Sequence, residues 1–140
     1  MIKEVETYLI DIVTRQNFEK VSLKYDESKL EVSIKSETIN QIEVDGADLL
    51  DCYRKVQELL EEKGYLLCLN GSRIDVQASG LLRDSTNGIS TYQFTEDFTS
   101  DKPILNIFHP SDRGYIGTVQ EHRDFIANWK IKYKNYLKQQ

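Results

Sequence analysis

Residues 18–34 alternate with a period of two on either side of a polar break. Phe18, Val21, Leu23 and Tyr25 lead into Asp26-Glu27-Ser28, and Leu30, Val32 and Ile34 follow with one polar residue between each apolar pair. Spacing of this kind puts the apolar side chains on one face of an extended chain, so the segment reads as a β-hairpin with one half-buried face. Ile39, Ile42 and Val44 supply a third short strand. A sheet with one apolar face has to be covered, and the rest of the chain must provide the cover.

Two segments have the period of helices. Leu49, Cys52, Tyr53, Val56, Leu59 and Leu60 form an apolar stripe after Asp45, which is read as the helix cap, and Gly64 follows as a left-handed terminator. Near the C-terminus, Thr118-Val119-Gln120-Glu121 has the form of a capping box. His122, Phe125, Ile126, Trp129, Tyr133, Tyr136 and Leu137 then make one face of a long helix. Lys130, Lys132, Lys134 and Lys138 crowd its last turns, where cations favour the helix dipole. Residues 2–16 also carry helical spacing in Ile2, Val5, Leu9, Ile12 and Val13, so an N-terminal helix is expected; Tyr8, Ile10 and Ile12 alternate and argue for a strand.

Tyr65–Leu69 is a compact apolar run suited to a buried central strand. Residues 70–88 are rich in turn formers, and Ile89–Thr95 and Ile104–Phe108 read as two further strands. Strands arrive in runs and not in alternation with helices. The expected architecture is therefore α+β: one domain over residues 1–140, an antiparallel sheet of about five to six strands, and N-terminal, central and C-terminal helices packed mainly on one face.

Composition narrows the function. The chain has 140 residues, enough for one core without metal or disulfides, and 23 acidic against 18 basic side chains give a net charge of −5. An acidic surface disfavours nucleic acid and anionic membranes and favours a basic protein partner, although the same charge serves solubility. No window is apolar enough for a membrane span, and the charged N-terminus is unlike a signal peptide, so the cytosol is the expected compartment. Cys52 and Cys68 each sit in apolar stretches as small hydrophobic fillers, with a disulfide between them left open.

Catalytic signatures do not emerge. There is no paired Cys-x-x-Cys, no His-x-x-x-His, no glycine-rich phosphate loop and no nucleophile elbow. No catalytic residue, metal or cofactor is therefore assigned. An enzymatic alternative would use His109 with Asp112, or Asp75 with Arg73, on a small polar substrate. Asn70, Arg73, Asp75 and Arg83 form a candidate polar cluster in the turn-rich segment, where a structural network competes with a binding role. The lysines and tyrosines of the last helix look like a nucleic-acid surface, but the tyrosines fall at core spacing.

Four segments carry a resemblance: residues 65–84 (YLLCLNGSRIDVQASGLLRD), 88–94 (GISTYQF), 105–110 (LNIFHP) and 116–129 (IGTVQEHRDFIANW). In them, and in size and acidic balance, the chain resembles the small immunity proteins of bacterial polymorphic and contact-dependent toxin systems. The resemblance implies a cytosolic inhibitor, without chemistry of its own, that binds one cognate toxin domain, a basic nuclease being the kind of partner an acidic surface suits. It carries no binding residues with it. The residues expected to meet the partner come from the loops instead: Asp84, Glu96, Asp97 and Asp101 as exposed acids, with Arg83 and Phe98 as anchors. A homodimeric, ligand-binding adaptor is the other reading.

Overall fold

A computed structural model describes all 140 residues. Four strands come first: β1 (Ile2–Asp11), β2 (Asn17–Asp26), β3 (Glu31–Ser36) and β4 (Asn40–Asp45). Helix α1 (Leu49–Glu62) follows, then β5 (Tyr65–Leu67), β6 (Val76–Gln77), α2 (Gly80–Thr86), β7 (Ser90–Gln93), β8 (Ile104–Asn106) and α3 (Val119–Lys138). The fold is α+β. Its strands form two sheets and not one: a five-stranded antiparallel sheet in the order β4-β3-β2-β1-β5, and a three-stranded sheet β6-β7-β8.

The three hairpins of the large sheet close with the same chemistry. A short polar side chain takes up the free amides of each turn: Asp11 accepts from Val13 and Thr14, Asp26 from Ser28 and Lys29, and the Ser36 hydroxyl from Ile39. Each turn then passes through one left-handed residue, Arg15, Leu30 and Asn40 respectively. The expected hairpin over residues 18–34 and the third strand stand as read.

The N-terminal helix does not form; residues 2–11 are strand β1, paired with β2 on one side and β5 on the other. Its place in the sheet explains the outcome. Val5 pairs with Leu23 and Thr7 with Val21, so its inward residues complete an apolar face that β2 and β3 present. On that face Leu9, Val21, Leu23, Tyr25, Val32, Ile34 and Ile42 are buried against Leu49, Cys52, Tyr53, Val56 and Leu60 of α1. Phe108 seals the end of this core, stacked on Tyr25 at 3.9 Å and edge-on to Tyr53 at 5.9 Å.

Three smaller readings also change. The cap of α1 is Asp48 and not Asp45: its extended backbone lets its carboxylate accept from the Asp51 amide. Tyr65–Leu67 is a short edge strand and not a central one. Leu66 joins Ile10, Cys68 and Ile116 in a second small core on the far side of β1. The turn-rich segment 70–88 contains α2 and β6.

The C-terminal helix begins with the expected capping box between Thr118 and Glu121. It packs toward the small sheet: Trp129 Nε1 donates to the Thr95 carbonyl and His122 bonds the Val76 carbonyl. Ile126 and Trp129 are its buried residues, while Leu137 is half exposed. No helix covers the other face of β4-β3-β2, where Lys24, Glu31, Lys35, Gln41, Glu43 and Asp45 are exposed. No helix is long and apolar enough to cross a membrane.

Candidate functional site: an acidic cleft on the open sheet face

The loop residues expected to bind a partner fall in two places. Arg83 and Asp84 lie on α2. Arg83 is committed to Asp48 through two hydrogen bonds of 2.8 and 2.9 Å, whereas Asp84 is exposed. Glu96, Asp97, Phe98 and Asp101 share the β7–β8 loop, which lies against the second half of α3. Glu96 pairs with Lys132 at 2.5 Å. Asp97 accepts from the Ser100 and Thr99 hydroxyls and the Thr99 amide, and these bonds hold its carboxyl below the usual range. Phe98 packs on Trp129, Tyr133 and Tyr136 with centroids 5.1–5.5 Å away. Asp101 is exposed on the rim of a cavity of about 610 Å³ floored by Tyr92, Phe94 and Ile104.

The acids of this loop therefore do not make an acidic surface. Lys132 neutralises Glu96, Lys102 lies over the rings of Phe94 and Trp129, and Lys130, Lys134 and Lys138 are on the adjoining helix.

The candidate catalytic pairs separate in the same way. His109 and Asp112 are both exposed, and no hydrogen bond joins their side chains. Arg73 and Asp75 do meet, through two bonds of 2.8 Å. Gln93 donates to the same carboxylate, and the Arg73 guanidinium lies 4.2 Å from the Tyr115 ring centre. This arrangement fixes β6 to β7 and to the segment before α3. Asn70 donates to the Asn106 carbonyl, and Arg83 on α2 bonds Asp48 at the start of α1, so the polar cluster proposed from sequence is not one site. No group of three or more His, Cys, Asp and Glu side chains is placed to hold a metal ion.

The acidic surface is elsewhere, on strands. Pairing register decides it. On the open face of the large sheet, Ile2, Asp26, Glu31 and Asp45 form one row across β1-β2-β3-β4. Glu4, Lys24, Ser33 and Glu43 form the next, and Glu6, Ser22, Lys35 and Gln41 the third, before Tyr8 and Lys20. Six carboxylates thus face three lysines over this surface. At the end carrying the first row they line a cleft of about 540 Å³, together with Ile2, Tyr25, Val32, Val44, Lys24 and Lys55.

The cleft has two chemistries. Ile2, which is 62% exposed, offers apolar surface; Asp26, Glu31, Glu43 and Asp45 supply negative charge beside it. Asp26 stays ionised, because the Ser28 hydroxyl and the Ser28 and Lys29 amides hold its carboxyl below the usual range. Lys55, which also lines the cleft, donates to the Asp45 carbonyl at 2.8 Å and lies 3.5 Å from Asp51. A long side chain with methylenes and a cationic head, lysine or arginine, matches this combination.

The strand acids escaped the sequence reading because each is only the polar half of an alternation. Their signal was the hairpin itself: once Tyr25 and Val32 are set opposite each other, Asp26 must face Glu31 on the other side of the sheet. Comparison of the chain with protein-family models and with curated proteins gives no match.

Proposed function

We propose that this chain is a non-enzymatic protein-binding module that captures and neutralises a basic partner domain in the cytosol. That is the role of the bacterial immunity proteins its C-terminal half resembles. The supporting observation is the separation of charge on the open sheet face, with six carboxylates against three lysines and a cleft at one end that holds the exposed Ile2. Fields of one sign over a low-dielectric surface speed the approach of an oppositely charged protein, and the exposed Ile2 adds apolar contact once it arrives. A toxin domain that acts on nucleic acid carries a basic active surface, and an acidic module laid on it would occlude that surface.

The test is co-expression with the C-terminal domain of a toxin, sought in the adjacent reading frame. Protection of the cells, together with a complex that survives purification, is the expected result. Glu31→Lys with Glu43→Lys should abolish capture and leave the fold intact, because both residues are exposed. Asp84→Lys with Asp101→Lys tests the loop surface in the same assay. Capture lost only in the loop pair would move the interface to α2 and the β7–β8 loop. No complex and no protection would remove the proposal.

A further inference from the structure

The acidic face ends in an open strand. β4 is the outer member of the large sheet and six residues long, whereas β5 at the other edge has three. Antiparallel strands bond in alternate pairs, so only every second residue of β4 faces β3. The Gly46 amide donates to the Leu30 carbonyl, and continuing this register makes Val44, Ile42 and Asn40 the residues that bond β3. Gln41, Glu43 and Asp45 therefore turn their backbone groups outward. The Asp45 carbonyl confirms the direction, since it is the acceptor for Lys55. The amide and carbonyl groups of Gln41 and Glu43 meet no other part of the chain.

We propose that β4 accepts an added strand from the partner, an extended segment with lysine or arginine at alternate positions and apolar residues between them. This rests on the reading of the acidic face as a docking surface and specifies how it is used. The free backbone groups of Gln41 and Glu43 supply the ladder. Alternate side chains of an added strand fall on the open face beside Glu43 and Asp45, which selects cations. The intervening side chains fall on the α1 side, beside Ile42 and Val44. On α1, Leu59, one helical turn beyond Lys55, remains 38% exposed. A second copy of this chain is the wrong occupant: a β4–β4 pair would bring the Glu43 and Asp45 carboxylates of both chains together, and like charges across a strand pair repel.

The probe is a capped peptide of about nine residues, long enough to span one strand. It has lysine at alternate positions and valine or threonine between, and it is titrated into the isotopically labelled full chain. Shifts and slowed hydrogen exchange at the Gln41 and Glu43 amides are expected. The same peptide N-methylated at alternate amides should bind at least about tenfold more weakly, a loss of roughly 1.4 kcal/mol. Glu43→Pro should block binding while the circular dichroism spectrum is retained, because that amide donates to no strand. If this variant does not fold, the N-methylated peptide decides.

Two outcomes would overturn the inference and spare the docking surface. One is shifts confined to Glu4, Lys24 and Ser33 with equal binding of both peptides. The other is concentration-dependent pairing of the free chain through β4, seen by sedimentation. Binding by neither peptide would remove strand addition, and failure of the co-expression assay as well would remove the docking reading.

Discussion

Arg83 holds both carboxylate oxygens of Asp48, with Nε 2.8 Å from Oδ2 and Nη2 2.9 Å from Oδ1, while that same Oδ1 accepts from the Asp51 amide at 2.7 Å. One carboxylate thus caps α1 and ties α2 to its start, and the Arg83 guanidinium beside it holds its carboxyl below the usual range. Asp48→Ala should cost about 1–2 kcal/mol through loss of the cap. Arg83→Met should cost less, under about 1 kcal/mol, because the arginine is 39% exposed and the cap survives. Urea denaturation of the two variants checks the order.

His122 should give the protein a step in stability near neutral pH. Burial, with the nearby charges of Arg54 and Arg123, lowers its pKa, outweighing the bond to Val76 and the charge of Asp75. The native state therefore favours the neutral ring, whereas an unfolded histidine titrates near about 6.5. Its contribution is complete above that value and is lost as the pH falls from there through the folded-state pKa. The depressed carboxylates Asp11, Asp26, Asp48, Asp97 and Glu121 lose theirs only below about pH 4.5. Urea midpoints should fall between pH 7.5 and 5.5, and His122→Gln should flatten that slope.

Both thiols should resist modification until the chain unfolds. Cys52 is fully buried and donates to the Leu30 carbonyl, and burial pushes its thiol up to about 11. Cys68 donates to the Ser111 carbonyl, and burial raises its pKa as well. Neither is in a disulfide. At pH 8 almost none of Cys52 is thiolate, and Cys68 holds less thiolate than a free cysteine. An aromatic disulfide reagent should therefore label neither residue in the native protein and both in urea.

Gly71→Ala is expected to be among the most damaging single-methyl additions in the chain. A Cβ at this position would sit 2.6 Å from the ring of Tyr53. That ring cannot yield: it is fully buried, its hydroxyl is bonded to Ser72 at 2.7 Å, and Phe108 packs on it. A loss of about 1–3 kcal/mol, the range for overpacked cores, should appear in thermal and urea unfolding. Gly80→Ala has open space around its Cβ and should be neutral or slightly stabilising.

The local signals that survive into the structure are those whose period matches one environment along the whole element. The hairpin of β2 and β3, the stripe of α1 and the Thr118 capping box meet that condition. β1 does not. Leu9 is buried in the main core and Ile10 in the second core on the opposite face, across an irregularity in the register with β2. With apolar residues on both faces, Leu9 falls in line with Ile2, Val5, Ile12 and Val13 at helical spacing while Ile10 keeps the alternation of a strand, so the two periods compete. α2 was obscured for another reason: seven residues with no buried side chain carry too little period to stand out from turns. Phe98 was legible as an aromatic on a loop, but its partners Trp129 and Tyr136 lie more than thirty positions away, so its use as a clamp on α3 depended on the tertiary fold.

The position of β1 between β2 and β5 has a kinetic consequence. During synthesis β1 acquires its first neighbour within twenty-six residues, but its other margin waits for Tyr65–Leu67 and therefore for all of α1. Until then the nascent chain holds a bare hydrogen-bonding margin ending in Leu9 and Ile10, a template for pairing with another unfinished copy. Completion of α1 and the return strand is thus the step that covers the Leu9–Asp11 end of this margin, where the chain is buried on both faces, and crowding of ribosomes on one message is the circumstance in which that step matters most.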